Sequence, residues 1–444
     1  MKNKVMDTFN KTQAKTKNKL QKYGGKVMNE TYAISDNKIY IKKSFDAYIV
    51  DYDDNTYIDT AMGGGTFLLG HSRKFMQKAI KKQLKQGTLY TMPNFKAHKL
   101  ALLLSKTLPN FHNFVFCSTG SEATMRAVRI ARAYTNRNKI AIFSGSWHGS
   151  HDLLLIDDTY TSKESEPQKI LKSNGTLNNI LDNIILLPYN HEEAFNIIEE
   201  NKDDLAMVFI EPSQGSNPRD DMQQFLKDLR AITKKYNILL GFDEIITGFR
   251  IALGGAQEYY SIEADIATYA KTIGGGLPIG IVAGTKEVMQ SIYKGSSKNT
   301  QPVFMGGTFS ANPLSITSAL AMLKYLIKNE KKIYPLLEKS GQYVKDSVNK
   351  ICKEEKIAAQ MMGINSMLRF VFTDYQIKSR HQRDAYELDR NLQELFYQEM
   401  LNNGVNIASN RINFLSTKHT KNDLDKIILE YANAIKKFKN IGYF

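Results

Sequence analysis

A chain of 444 residues is too long for one small core and predicts two domains, or one large domain with an appendage. Its 42% hydrophobic and 24% charged residues mark an ordinary soluble globular protein, and the only cysteines, Cys117 and Cys352, exclude a disulfide framework and a cysteine-based metal site. The formal net charge of +15 comes from lysines scattered along the whole chain, which argues against a nucleic-acid-binding protein and agrees better with an acidic or phosphorylated substrate.

Residues 1–23 carry Lys2, Lys4, Lys11, Lys15, Lys17, Lys19 and Lys22 against Asp7, with Val5, Phe9 and Leu20 between them. This reads as a solvated arm or a charged surface helix. It lacks the apolar stretch of a secretory leader, and no later run reaches the length of a membrane span, so a cytoplasmic location is expected. Gly24-Gly25 ends the arm. Between Tyr40 and Asp59 short strand-like runs follow, with Asp53-Asp54-Asn55 as the turn between Tyr48–Val50 and Tyr57-Ile58.

Strands and helices then alternate. Strands are expected at Phe114–Cys117, Ile140–Phe143, Ile184–Leu187, Ala206–Ile210, Ile238–Phe242, Ile266–Tyr269 and Ile279–Ala283, with helices at Glu122–Tyr134, Glu192–Asn201 and Met222–Tyr236. Apolar strands separated by amphipathic helices predict an α/β domain with a mostly parallel sheet covered by helices on both faces. Ligands collect at strand ends in such sheets. Asp157–Asn183 is polar and weakly periodic, and is expected to be a long loop, either a lid or disordered. From about Leu314 long helices dominate, with strands at Met367–Phe372 and Phe414–Ser416, which predicts a smaller α+β domain.

Residues with chemical potential gather at the predicted strand ends. Ser118-Thr119-Gly120-Ser121 leads from a strand into a helix, where free backbone amides and hydroxyls suit a phosphate, or equally an ordinary helix cap. Trp147, the single tryptophan, sits with His148 between Gly145 and Gly149; its ring suits stacking on a flat cofactor or filling a core. His148 and His151 are acid–base or structural histidines. Glu211 and Asp243 close two apolar runs, and a carboxylate buried there needs a partner, such as Arg250 or a cationic ligand. Lys271 opens Lys271-Thr272-Ile273-Gly274-Gly275-Gly276. A lysine amine can hold an aldehyde cofactor as a Schiff base, and an aspartate such as Asp243 can keep a pyridine nitrogen protonated; together they outline a site for pyridoxal 5'-phosphate. Gly306-Gly307-Thr308 precedes another helix and offers a second phosphate donor.

Taken in order, these segments, with Arg250-Ile251-Ala252-Leu253-Gly254-Gly255-Ala256-Gln257-Glu258-Tyr259-Tyr260 and Asp265 before Lys271, resemble the class III pyridoxal-phosphate-dependent aminotransferases of fold type I, and within them the glutamate-1-semialdehyde 2,1-aminomutase branch. The resemblance covers roughly residues 45–430. It implies that Lys271 is the Schiff-base lysine and Asp243 the partner of the pyridine nitrogen. It further implies that Thr119, Gly120 and Ser121 bind the phosphate, that Trp147 and Ile245 flank the ring, that Glu211 lies near the phenolic oxygen, and that Thr308 donates to the phosphate across a homodimer interface. His148 and Arg411 are candidate substrate contacts, and no metal is expected. The implied division is an N-terminal segment 1–45 that packs with the small domain, a large domain 46–315 and a small domain 316–444. Where that branch carries Ser-Pro-Val-Arg, with an arginine for the substrate carboxylate, this chain reads Lys26-Val27-Met28-Asn29-Glu30-Thr31 after Gly24-Gly25. The expected activity is therefore transamination between an amino donor and an oxo or aldehyde acceptor. The aminomutase reaction, a racemase or a decarboxylase is the alternative, and a non-catalytic binding protein on the same fold is the alternative of another class.

Overall fold

The computed structural model describes residues 39–159, 168–293, 301–387, 390–408 and 411–444, together with 5, 7, 8, 11–13, 15 and 16. They divide into two compact units, a larger one within Phe75–Tyr334 and Ile377–Ala385 and a smaller one within Met1–Lys74, Pro335–Gln376 and Tyr386–Phe444. The breaks between them lie at Lys74/Phe75, Tyr334/Pro335, Gln376/Ile377 and Ala385/Tyr386, whereas the sequence places the divisions at 45/46 and 315/316. Among the described residues no helix is long and apolar enough to cross a membrane.

The larger unit is built on a seven-stranded sheet in the order Asn113–Cys117, Gly280–Gly284, Ile266–Tyr269, Leu239–Glu244, Leu205–Ile210, Lys139–Phe143, Ile184–Leu187. Gly280–Gly284 runs antiparallel to both of its neighbours; the remaining pairs are parallel. Every residue of Leu205–Ile210 and of Leu239–Glu244 is buried, which is why these strands read as unbroken apolar runs and not as alternating ones. On one face the helix Gly120–Thr135 buries Ala123, Ala127, Val128, Ile130 and Ala131, and its alanines permit close approach to the sheet. On Gln223–Lys235, Phe225 meets Phe143 edge-on, with ring centroids 5.8 Å apart.

The helix Gly120–Thr135 begins two residues before the predicted Glu122. The Thr119 hydroxyl accepts the Glu122 amide at 3.1 Å while the Glu122 carboxylate reaches back to the Ser118 amide at 2.6 Å, a reciprocal cap. The segment expected to be a long loop contains structure instead. Ile156–Thr159 pairs antiparallel with Gln168–Leu171, and a 3-10 turn follows at Asn178–Asn183. Lys169 Nζ fastens the pair by donating to the carbonyls of Leu181 and Ile184 at 2.7 and 2.8 Å.

In the smaller unit, Gln360–Ile364, Met367–Val371 and Ile412–Phe414 form an antiparallel sheet, and Ile41–Phe45, Tyr48–Asp51, Thr56–Asp59 and Val405–Asn406 form a second sheet. Phe370 stacks on Phe396 at 5.3 Å in a core completed by Tyr397, Tyr431 and Phe438. The last strand stops at Phe414 and does not reach the predicted Ser416, because the Ser416 amide turns to His419 Nδ1 at 2.9 Å ahead of the Thr420 capping box. The described part of the basic arm is docked here. Gln13 donates to Asp51 at 2.8 Å, and the amides of Lys15 and Thr16 donate to Asp53 at 2.7 and 3.0 Å.

Candidate active site

Because its strands run the same way, the parallel part of the larger unit's sheet delivers several loops to one edge. Leu205–Ile210 leads into Glu211, Leu239–Glu244 ends on Asp243 and Glu244, Lys139–Phe143 leads into the Trp147 loop, and Ile266–Tyr269 leads into Lys271.

Lys271 has a left-handed backbone, φ 45°, unusual for a residue with a Cβ. Its side chain keeps some surface open, yet dense protein surrounds it. Burial brings the ammonium down to about 8 against the opposing pull of Asp243 and Glu211, and Arg250 lowers it further. A substantial share of such a group is a neutral amine near pH 8. Arg250 is itself fully buried and held down to about 9 by that burial.

Asp243 is buried. Oδ1 accepts the Ile245 amide at 3.0 Å and the Thr268 hydroxyl at 3.3 Å, and Oδ2 lies 2.7 Å from His148 Nδ1. The Glu211 carboxylate joins two loops: Oε2 accepts the Trp147 amide at 3.0 Å and Oε1 the Gly215 amide at 3.1 Å. Burial raises its pKa, with Asp243 adding to the rise and His148 opposing it.

At the start of Gly120–Thr135, Ser121 Oγ accepts the Ser150 amide at 3.1 Å. A Cβ added at Gly149, φ 100°, would stand 2.7 Å from Ser121 Oγ, and one added at Gly120 would stand 3.0 Å from Ile245 Cδ1. Only glycine lets these loops meet so closely. Trp147 is 48% exposed, with Lys172 Nζ 5.3 Å from its ring centroid.

Lys271, Asp243, Glu211, Thr119, Gly120, Ser121, Trp147 and Ile245 therefore belong to one loop cluster. Within the cluster and among the remaining candidates, the partners differ. The Thr119 hydroxyl is engaged as the helix cap. His148 is buried, with its Nδ1 2.7 Å from the Asp243 carboxylate and its ring on Phe209, 4.6 Å between centroids. Thr308 is exposed, on a loop tied to the same helix by Arg126, whose Nη2 donates to the Gly306 carbonyl at 3.0 Å and to Ser310 Oγ at 3.2 Å. Arg411 belongs to the smaller unit, where its guanidinium lies 3.9 Å from Glu394. Lys26–Thr31 lies outside the described residues.

Sequence reasoning missed Thr268 and Phe209. A hydroxyl within the apolar run Ile266–Tyr269 was a usable signal for Thr268; Phe209 looked like any other core residue. Among the described residues no group of three or more His, Cys, Asp or Glu could hold a metal.

The donor set suits a flat phosphate-bearing aldehyde. A depressed lysine amine, a buried carboxylate two residues before Ile245, and a glycine- and serine-lined helix start meet at one edge. His148 Nε2 and His151 Nδ1, both buried and without a hydrogen-bond partner among the described residues, add polar atoms around that carboxylate.

The family whose description matches residues 31–434 is the class III aminotransferases. The chain is 35% identical over 416 residues to glutamate-1-semialdehyde 2,1-aminomutase of Methanosarcina acetivorans, covering 93% of this chain and 95% of that protein. It is 36% identical over 420 residues to the enzyme of the same name from Methanosphaera stadtmanae, with 93% and 95% covered. An omega-transaminase from Sphaerobacter thermophilus superposes with a TM-score of 0.85 over 98% of each chain at 27% identity.

Proposed function

The chain belongs to the class III aminotransferases, and from that premise we propose that it is a pyridoxal-5'-phosphate enzyme that shifts an amino group between carbons 2 and 1 of glutamate-1-semialdehyde. The observation that carries the cofactor reading is the convergence of Lys271, with its amine brought down to about 8, on the buried Asp243 and Glu211. The named relatives support the aminomutase reaction over the intermolecular transamination that the sequence put first. Transamination is the second reading, and the absence of a Ser-Pro-Val-Arg segment beside Gly24-Gly25 favours it.

When bound, the cofactor supplies an aldehyde carbon that takes up amines and a protonated ring that spreads negative charge from the substrate carbon. Lys271 would hold it through its amine and, as a neutral amine, would move a proton at the reacting carbon. Asp243 would pair with the ring nitrogen. Gly120 and Ser121, with the Thr119 backbone, would hold the phosphate; Trp147 and Ile245 would flank the ring; Glu211, which accepts the Trp147 amide, would stand near the phenolic oxygen.

A homodimer completes this reading. Phe304 and Phe309, 73% and 59% exposed, flank Thr308, and Met92 and Phe95, at 75% and 72%, are also open to water. Apolar surface of this extent suits a second copy, and Thr308 would serve the partner's phosphate site.

The test is a single-turnover assay of the cofactor-loaded protein. Formation of 5-aminolevulinate from glutamate-1-semialdehyde supports the first reading. Conversion of the bound cofactor to its pyridoxamine form by an amino donor, with release of an oxo product, supports the second. A protein that acquires no visible absorbance with pyridoxal phosphate overturns both.

A further inference from the structure

We propose that Lys172 is a positioning residue for Trp147: standing over one face of the indole, it fixes the orientation in which the other face meets the cofactor. The proposal rests on the reading above, in which Trp147 flanks the cofactor ring, and adds what holds that ring in place.

The Trp147 loop is pinned through its backbone and its neighbours. Gln214 Nε2 donates to the Ser144 carbonyl at 2.7 Å and to Ser146 Oγ at 3.1 Å, the Ser146 amide donates to the Phe143 carbonyl at 3.1 Å, and Glu211 Oε2 accepts the Trp147 amide at 3.0 Å. None of these bonds reaches the indole. The residue is half exposed, so packing alone leaves its two side-chain torsions a choice of wells. Among the described residues, Lys172 supplies the cation over that ring, with Nζ 5.3 Å from the centroid, inside the roughly 6 Å at which a ring face attracts an ammonium.

Lys172 comes from a firm base. Its amide donates to the Leu155 carbonyl at 3.1 Å, directly after the paired strands Ile156–Thr159 and Gln168–Leu171 close. On either side of that bond, Leu154 and Ile156 are buried in the core beside the sheet and Leu171 packs against it. The backbone under Lys172 is therefore set by the fold, and the backbone under Trp147 is set by Glu211 and Gln214. What remains adjustable is the meeting of the two side chains.

At a half-exposed site such an attraction favours the held rotamer by about two- to fivefold. The alternative is a lysine that lays its methylenes along the surface and keeps its charge in water without using it. Methionine separates the two cases, because it is unbranched and of similar reach but carries no charge. Arginine keeps the charge and can stack its planar group on the indole.

Trp147 is the single tryptophan, so fluorescence reports this ring alone. The experiment compares full-length wild type, Lys172→Met and Lys172→Arg by acrylamide quenching of the cofactor-free protein and by the dissociation constant for pyridoxal phosphate, with melting curves as a folding control. The methionine variant is expected to be quenched about twice as strongly and to bind the cofactor about two- to fivefold more weakly, with arginine close to wild type in both. A folded methionine variant that matches wild type, or an arginine variant no better than methionine, overturns the proposal. So does a methionine variant that binds the cofactor more tightly, since Lys172 would then compete for the cofactor's face of the ring. So does one changed only in KM, which would make Lys172 a substrate contact. If the methionine variant fails to fold, Lys172→Gln takes its place under the same criteria. A wild type that takes up no cofactor would instead bring down the cofactor reading, and this proposal with it.

Discussion

Asp243 and Asp265 occupy opposite edges of the same pair of parallel strands, and they are held in opposite ways. Asp265, just before Ile266–Tyr269, takes both arms of the Arg230 guanidinium at 2.7 and 2.9 Å and the Leu240 amide at 2.8 Å. Its charge is answered by a full cation in bidentate geometry. Asp243, near the end of Leu239–Glu244, has an amide, a hydroxyl and an imidazole nitrogen, with Glu244 and Glu211 adding further acid nearby. One edge ties the sheet together with a closed ion pair, and the other gathers acids around a lysine whose own charge is weakened. A carboxylate closed by its own protein holds structure, and one left open to a further cation is available for a ligand.

Substitutions can separate the two edges. The largest effect is expected from Lys271→Ala, which should lower turnover about 10⁴-fold while the protein stays folded, as read by steady-state kinetics beside a melting curve. Asp243→Asn should cost on the order of a thousandfold in turnover; a near-normal rate would dissolve the contrast. Arg230→Ala should do the reverse, removing about 1–3 kcal/mol in denaturant unfolding, since the pair is only partly buried, with the rate at saturating substrate unchanged. The remaining effect is a pH slope. Lys271 stands at about 8 in the folded chain against an ordinary 10.5, so between those values the unfolded chain binds a proton that the folded chain lacks. Stability of the cofactor-free protein should therefore rise with pH across that window, and Lys271→Met should remove that part of the rise in urea midpoints.

Much of the larger unit is legible in the sequence because its strands are buried on both faces and appear as short apolar runs between amphipathic helices. The division between units is less so. Tyr48–Asp51 and Thr56–Asp59 look continuous with the following α/β pattern, but Thr56–Asp59 pairs with Val405–Asn406, a contact across most of the chain that no local pattern reveals. The paired strands Ile156–Thr159 and Gln168–Leu171 escaped notice because their composition is polar. At the site, the expectation for Lys271 and Asp243 came from the segments around them, and the strand order delivers both residues to one end of the sheet. The hydrogen bond of His148 to Asp243 joins positions 95 residues apart and depends on the sheet order alone.

The Glu211 clasp also sets a lower pH limit on this architecture. Its two oxygens each receive a backbone amide, one from the aromatic loop and one from the turn at Gly215, and burial makes the carboxyl easier to protonate than an ordinary glutamate. A proton arriving there would turn one acceptor into a donor facing an N–H, so one of the two loops would lose its anchor. Lowering the pH should therefore loosen the Trp147 loop or the Gly215 turn.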